Sequence, residues 1–406
     1  MLPQNYPLFN IFSGKRVHLG LTGSVAAYKT VELLRLLRKS SVDASATMTF
    51  SACRFIGPLT LTALGADPVY YFQDNEIGDP YSHLAPAQTA DTFAVAPATA
   101  GIIAKAAHGL ADDILSTQIL AWDRPVYFCP AMNPAMWNND ATRDNIALLK
   151  TRGHFIIEPH YGKVACSEEG KGRLAPVAEI YFHMLRAISP QDMAGKKVLI
   201  TAGPTQEYFD LVRYFSNPSS GRMGLAIALS CWLRGAQVYF VHGPMESLVG
   251  LPGFEILPVT SANEMMEACL SVWDDCHAGF FTAAVSDFAP VPCSEAKFKK
   301  GNIRTMQIDM KSNPDILACL SSRKKQNQIV AGFAAEADNL EANARHKLVQ
   351  KNLDMVVANL VEPGRTPFGS TVNEVMVIDR NGRSETWPSL EKSEVAWRLV
   401  DWISLI

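Results

Sequence analysis

The sequence lacks the features that would place it in several large classes. No segment reaches the ~18 uninterrupted apolar residues that cross a bilayer. The opening, MLPQNYPLFNIFSGKRV, has no basic region followed by an apolar stretch and a small-residue cleavage site. A membrane-spanning or secreted chain is therefore not expected, and the first residues are expected to form a short tail. Charge is sparse: charged residues make up 19% of the chain and the formal net charge is −3. That balance gives no general attraction to nucleic acid or to an anionic membrane, although locally placed cations can still take small anionic ligands. The eight cysteines include no CxxC pair and no Cys/His metal spacing, which argues against a zinc site and suits a reducing, cytoplasmic compartment. Neither GxGxxG with an acidic residue beyond it nor a Walker sequence is present, so an NAD-dependent dehydrogenase is remote.

What the chain does have is core-forming material. Hydrophobic residues make up 48% of its 406 positions, enough for two domains of about 200 residues each. Arg16 to Leu21 reads as a buried strand, followed by a Gly-Ser turn and an apolar-periodic helix from Ala26 to Leu37. Strand-like runs recur at Val42 to Met48, Thr92 to Ala96 and Val126 to Cys129, alternating with helical stretches such as Ala100 to Ala107 and Val177 to Ile188. Alternation of this kind predicts parallel strands with crossover helices. Ser189-Pro190-Gln191-Asp192 interrupts the periodicity, and the pattern restarts with a strand at Lys197 to Thr201, a helix at Gly221 to Leu233 and a strand at Val238 to Val241. The expected fold class is α/β, two consecutive open parallel-sheet domains spanning 1–189 and 190–406. Lys196-Lys197-Val echoes Lys15-Arg16-Val, but the likeness is too short to be a repeat.

Three turns in the first domain fall at the C-terminal ends of strands, the edge at which open parallel sheets bind ligands. They are Gly20-Leu-Thr-Gly-Ser-Val-Ala-Ala-Tyr-Lys29, Met48-Thr49-Phe50-Ser51 and Ala96-Pro97-Ala98-Thr99-Ala100. One such turn is as easily a tight connection as a site. Three together, with Gly23, Ser24, Thr49 and Thr99 offering backbone amides and hydroxyls at helix starts and Pro97 shaping the third turn, suit a phosphorylated planar cofactor. Phe55 and Pro58 are available as its apolar walls.

These turns, with MTFSACRFIGPLTLTAL and APATAGIIAKAAHGLADDILST, resemble in order and spacing the flavin-binding cysteine decarboxylases. The resemblance extends to Ser82-His83-Leu84, Pro130-Ala-Met-Asn-Pro-Ala-Met-Trp137 and Ala165-Cys-Ser-Glu-Glu-Gly-Lys-Gly-Arg173. It implies a flavodoxin-like or Rossmann-like domain holding FMN, which takes electrons from the thiol-bearing carbon so that the carbanion left by departing CO2 is stabilised. It also implies that His83 exchanges protons near the reacting end, that Asn133 holds the substrate carboxylate through its amide, and that Cys166, on a flap, returns a proton at the end. Without the resemblance, His83 is more often structural, Asn133-Pro134 is a turn, and Cys166 is inert. Gly101 departs from the asparagine usual after APATA.

In the second domain, Val212-Arg-Tyr-Phe-Ser-Asn-Pro-Ser-Ser-Gly-Arg-Met-Gly224 puts Ser219, Ser220 and Gly221 ahead of a helix, as a triphosphate cradle or simply a capped turn. Further segments are Ala283 to Asp287, Lys297-Phe-Lys-Lys300, Ser312-Asn-Pro-Asp315, Gly332 to Glu336 and Lys347 to Lys351. A lysine cluster is usually a solvated surface. In this order the segments resemble phosphopantothenate–cysteine ligase, and together the two halves resemble the bifunctional enzymes of coenzyme A biosynthesis. The resemblance implies that 4'-phosphopantothenate and cysteine are joined through an acyl-cytidylate made from CTP, with Mg2+ on the phosphates and no metal ligands assigned in the chain. Asn217 would orient that intermediate and Lys297 promote its capture by cysteine. Asp287, Pro314 and Phe333 would surround cytidine, and Lys347 and Lys351 the phosphates. Arg222 stands where relatives commonly have lysine, which keeps the charge but changes donor geometry.

The main alternative is another flavoprotein of the same fold, a prenyl-flavin synthase or flavin reductase with a nucleotide-binding second domain. A second is a non-catalytic regulatory subunit. The resemblance further implies a homo-oligomer, with decarboxylase trimers and ligase dimers combining as a dodecamer.

Overall fold

The computed structural model describes residues 6–72, 81–163, 169–246, 253–291, 297, 304–336, 338–361 and 369–406. They form two compact units, the first Leu8–Ser189 and the second running on from Pro190.

The first unit is built on β1 (Arg16–Leu21), β2 (Asp43–Met48), β3 (Ala66–Tyr71), β4 (Thr92–Ala98), β5 (Val126–Pro130) and β6 (Phe155–Ile156). They pair in parallel in the order β3-β2-β1-β4-β5-β6. Chain order reverses between β1 and β4, which leaves a crevice beyond their C-terminal ends. All seven residues of β4 are buried, as expected for a central strand covered on both faces. Its Pro97 has no N–H to give a ladder, and the pairing with β5 shifts register between Val95 and Ala98. Helix Ala27–Lys39 buries Leu33, Leu34, Leu36 and Leu37 and ends on Arg38 and Lys39, which complement its dipole. A hairpin of β7 (His160–Lys163) and β8 (Glu169–Arg173) follows the sheet.

The expected short tail is partly core. Phe9 and Phe12 are 0% and 4% exposed, because two aromatic rings so near the first strand gain more by burial than a solvated tail would.

The second unit contains β9 (Lys197–Ala202), β10 (Gln206–Tyr208), β11 (Tyr214–Ser216), β12 (Gln237–His242), β13 (Phe254–Pro258), β14 (Ala278–Phe281), β15 (Phe288–Pro290), β16 (Met310–Ser312), β17 (Ile329–Glu336), β18 (Met355–Leu360), β19 (Val372–Asp379) and β20 (Ser384–Glu391). Its main sheet runs β13-β12-β9-β14-β17-β18-β19-β20. The first six are parallel and reverse chain order between β9 and β14, while β19 and β20 close one edge antiparallel. Both units therefore share one strand order, although their sequences echo each other over only a few residues. Helix Arg222–Leu233 buries every residue from Gly224 to Leu233, the expected fate of a helix apolar all round. Gly224 sits so close to the sheet that a Cβ there would meet Ala202 Cβ and Thr282 Oγ1, each at 2.6 Å.

Candidate active sites

In the first unit a cleft of about 700 Å³ opens where the strand order reverses. Gly23, Ser24, Lys29, Thr99, Asn133 and Arg173 are on its wall. Two helices begin there, Ala27–Lys39 and Ala100–His108, and neither has a side-chain cap. Their first amides and the Ser24 and Thr99 hydroxyls make a positive, donor-rich end. The turns are tied together by Thr22, which is 2% exposed. Its hydroxyl donates to the Pro97 carbonyl (2.6 Å) and accepts from the Thr99 amide (3.1 Å). Gly23 must lack a side chain, since a Cβ would come within 2.5 Å of Ser51 Cβ. Burial, and then the neighbouring Arg173 guanidinium, lower the Lys29 pKa, so two cations face one cleft.

Asn133 caps helix Pro134–Asn138, its Oδ1 accepting from the Met136 amide at 2.8 Å. The turn and the site are thus the same feature, because the cap occupies the oxygen and leaves the amide NH2 as the donor group. The β7–β8 hairpin packs on this turn: the Met132 amide donates to the Gly172 carbonyl at 3.1 Å, and Lys163, Gly172 and Arg173 join the cleft wall. Cys166 lies outside the described residues.

Other expected residues stand away from the wall. Thr49 caps helix Phe50–Cys53 by accepting from the Ala52 amide at 3.2 Å. Pro97 is inside β4 with its carbonyl held by Thr22. Phe55 is 53% exposed, and neither it nor Pro58 lines the cleft. The apolar walls come instead from Val25, Tyr28, Met132, Met136 and Leu174. At Gly101 a Cβ would meet nothing within 4 Å, so the departure leaves space rather than relieving a clash.

His83 is half-buried on a turn away from that wall. The turn is held from below by a chain of buried polar groups. Gln118 donates through Nε2 to the Ser82 carbonyl (3.0 Å) and accepts through Oε1 from the Thr47 hydroxyl (2.6 Å). Since Thr47 spends its proton there, His18 Nε2 must donate to Thr47 (3.0 Å), and the Ser45 hydroxyl to His18 Nδ1 (2.8 Å). Complete burial lowers the His18 pKa to about 3, so the ring is neutral in one fixed tautomer.

In the second unit, Asp287, Pro314, Phe333, Lys347 and Lys351 share a cavity of about 390 Å³. The lysines are not a solvated cluster. Lys347 donates to the Phe333 carbonyl at 2.8 Å, and Lys351 pairs with Asp315 at 2.8 Å. Burial, then the Lys351 charge, lower the Lys347 pKa. Asn313, which the sequence does not single out, also lines this cavity, and its Oδ1 has no hydrogen-bond partner. A second cavity, of about 140 Å³, holds Ser219, Ser220 and Gly221 and shares Ala283, Ala284 and Phe333 with the first.

Asn217 lines neither cavity. Its Nδ2 donates to the carbonyls of Ala284 (3.3 Å) and Val285 (3.0 Å), tying its loop to the larger cavity's wall. Lys297 is exposed and also lies off both walls. The missed residues Thr22, Lys29, Arg173 and Asn313 all lie inside the quoted motifs, but choosing them needed the third dimension.

Comparison with known proteins gives a match to each unit. Residues 11–189 match the family model described as Flavoprotein, and residues 193–406 match that described as DNA/pantothenate metabolism flavoprotein C-terminal domain. The chain is 39% identical over 402 residues to the coenzyme A biosynthesis bifunctional protein CoaBC of Bacillus subtilis (strain 168), covering 98% of each. The CoaBC of Vibrio cholerae serotype O1 is 39% identical over 377 residues, covering 91% of this chain and 93% of the relative. A cysteine/cysteine sulfinic acid decarboxylase from an unknown prokaryotic organism is also 39% identical, over 347 residues, 84% of this chain and 96% of the relative.

Proposed function

This chain belongs to the family of coenzyme A biosynthesis bifunctional proteins, and from that premise we propose which unit performs which reaction and with which groups. It is a bifunctional decarboxylase and ligase of coenzyme A biosynthesis, and its N-terminal half is a flavoprotein. Residues 190–406 join 4'-phosphopantothenate to cysteine at the expense of CTP. Residues 1–189 decarboxylate the product to 4'-phosphopantetheine with FMN.

The cleft of the first unit suits FMN on its own chemistry. Two uncapped helix starts with Ser24 and Thr99 fit a phosphate, and the walls of Val25, Tyr28, Met132 and Leu174 fit a planar apolar ring. Bound there, FMN supplies the electron acceptor that makes loss of CO2 possible. The chain does the rest. The Asn133 NH2 donates to the substrate carboxylate without adding a competing charge, while Lys29 and Arg173 supply the positive field that attracts an anionic substrate. His83 and Cys166 exchange protons with the reacting carbon and sulfur. Because His83 stands off the cleft wall, a second copy that completes the site fits a homo-oligomer, with trimers of this half and dimers of the other.

In the ligase half, a carboxylate oxygen bonds to the α-phosphorus of CTP as pyrophosphate leaves, and the cysteine amine then displaces CMP from the acyl carbon. The observation that carries this proposal is the pair of neighbouring cavities sharing Ala283, Ala284 and Phe333, one of nucleoside size and one of phosphate size. The unmatched Asn313 Oδ1 in the larger cavity suits a base with an exocyclic amino group, as cytosine has and uracil lacks. Asn217 steadies the loop beside the intermediate, and Lys297 promotes its use by cysteine. No group of three His, Cys, Asp or Glu placed to hold a metal ion occurs among the described residues, and Mg2+ would arrive on the triphosphate. No helix of the described residues is long and apolar enough to cross a membrane. The coenzyme A biosynthesis reading supports a cytoplasmic location.

The test is to supply the purified chain with 4'-phosphopantothenate, cysteine and each nucleoside triphosphate, and to follow nucleotides by HPLC with CO2 release. CMP, pyrophosphate and 4'-phosphopantetheine are expected from CTP. AMP formed from ATP alone would refute the cytidylate assignment. CO2 released from cysteine alone would move the first unit to the chemistry named for its third relative.

A further inference from the structure

The smaller cavity of the second unit has a wall that the family motifs include only in part. Besides Ser219, Ser220 and Gly221, it is lined by Arg222, Asn359, Asn373 and Lys392. Asn359 lies near the C-terminal end of β18, Asn373 near the start of β19, and Lys392 at the start of helix Lys392–Ile403. They are 9%, 8% and 7% exposed, unusual burial for three such polar side chains. The cavity also receives the N-terminus of the 12-residue helix Arg222–Leu233. Its N-cap, Gly221, is left-handed (φ 71°) and makes no side-chain cap.

Three properties of this wall point to one kind of ligand. The Asn359 Nδ2 donor is buried without a hydrogen-bond partner, which leaves its desolvation uncompensated until an acceptor arrives. Among the described residues no aspartate or glutamate lines the cavity, whereas Arg222 and Lys392 bring two cations to it. Burial, and then the Arg222 charge, lower the Lys392 pKa to about 8, as for a cation held beside another cation. Hydroxyls of Ser219 and Ser220 complete a wall dominated by donors and positive potential. A cavity of about 140 Å³ admits phosphate groups but not a nucleoside, and it shares Ala283, Ala284 and Phe333 with the cavity proposed for the nucleotide.

We propose that Asn359, Lys392 and the first turn of helix Arg222–Leu233 bind the β- and γ-phosphates of the nucleoside triphosphate and hold pyrophosphate as it leaves. This rests on the ligase assignment above and extends it to residues outside the motifs. When the bond from the α-phosphorus to its bridging oxygen breaks, the electron pair goes to that oxygen. Donors fixed beside the departing group stabilise the charge as it grows. The shared wall favours this phosphate source over the phosphomonoester of the acid substrate.

The experiment compares CMP and CTP binding to the full-length chain by calorimetry with Mg2+, and adds inhibition by pyrophosphate. Asn359→Leu and Lys392→Met are each expected to reduce the affinity advantage of CTP over CMP by about tenfold while CMP binding stays constant. Pyrophosphate inhibition should weaken in parallel, and Lys392→Arg should restore most of the advantage. Equal losses for CMP and CTP overturn the proposal, as does an unchanged ratio. A rise confined to the KM for 4'-phosphopantothenate overturns it in favour of the phosphomonoester. If the wild-type chain binds CTP no better than CMP, this inference fails while the nucleotide cavity stands. If it binds neither, the ligase assignment fails as well.

Discussion

The hydroxyl of Thr22 donates to the carbonyl of Pro97 at 2.6 Å and accepts from the Thr99 amide at 3.1 Å, across 75 and 77 residues of chain. Thr22→Val keeps the shape of the side chain and removes both bonds, leaving a buried carbonyl and an amide unmatched. A loss of about 1–3 kcal/mol in stability is expected, together with easier release of flavin. Thr22→Ser should behave as wild type. Chemical unfolding and fluorescence of released flavin check both, and a Val variant that melts and holds flavin normally refutes the clamp.

Asn133 caps a helix through its amide oxygen, and the proposed reaction gives its NH2 a second task, so its variants should separate the two. Asn133→Asp keeps an oxygen for the Met136 amide but replaces the NH2 donor with a charge facing the substrate carboxylate. Its melting temperature should stay near wild type while decarboxylation falls by about 100-fold or more. Asn133→Ala should lose the cap as well, at about 1 kcal/mol. A charged variant that decarboxylates normally would leave Asn133 with only its capping role.

His18 makes a prediction about acid. Its pKa is lowered from the ordinary 6.5 to about 3 by burial. Between those limits the unfolded chain binds a proton that the folded chain refuses, so stability is present above pH 6.5 and is lost as pH falls towards 3. The slope from this one group is about 1.4 kcal/mol per pH unit. His183, lowered to about 4 by burial and then by Arg186, adds to it over a narrower span. His18→Gln should flatten the pH dependence of urea unfolding, and an unchanged slope would show that His18 is not the group titrating.

Lys347 is a half-hidden cation on the cavity proposed for the nucleotide. Lys347→Met should weaken CTP binding by about 10- to 100-fold, as expected for a hydrogen bond to a charged group. Because burial and the Lys351 charge lower its pKa, affinity should decline on the alkaline side at lower pH than for an ordinary lysine. Lys347→Arg should remove that decline. Titration calorimetry across pH decides, and a wild-type affinity flat to the ordinary lysine range would contradict a role for this charge.

The sequence determined the class of fold and the two-unit plan, because strand and helix periods, Gly/Ser turns and the Pro190 break are properties of neighbouring residues. Apolar runs such as TFAVAPA placed the central strands, and small-residue turns marked the edge where ligands bind. Local motifs also brought forward Ser24, Thr99, Asn133, Phe333 and Lys347, all of which line cavities. Only the tertiary structure decided which groups face one another. The bond from Thr22 to Pro97, the chain from His18 through Gln118 to Ser82, and the meeting of Arg222, Asn359 and Lys392 each join segments far apart in sequence, and no periodicity encodes such contacts. Phe55 shows the converse: an aromatic residue beside a turn looks like a wall, but in the turn after a short helix it points where the backbone sends it, here into solvent. The edge strands β19 and β20 escaped notice for a related reason, since a half-exposed antiparallel pair carries a weak pattern that becomes decisive only when it closes an existing sheet.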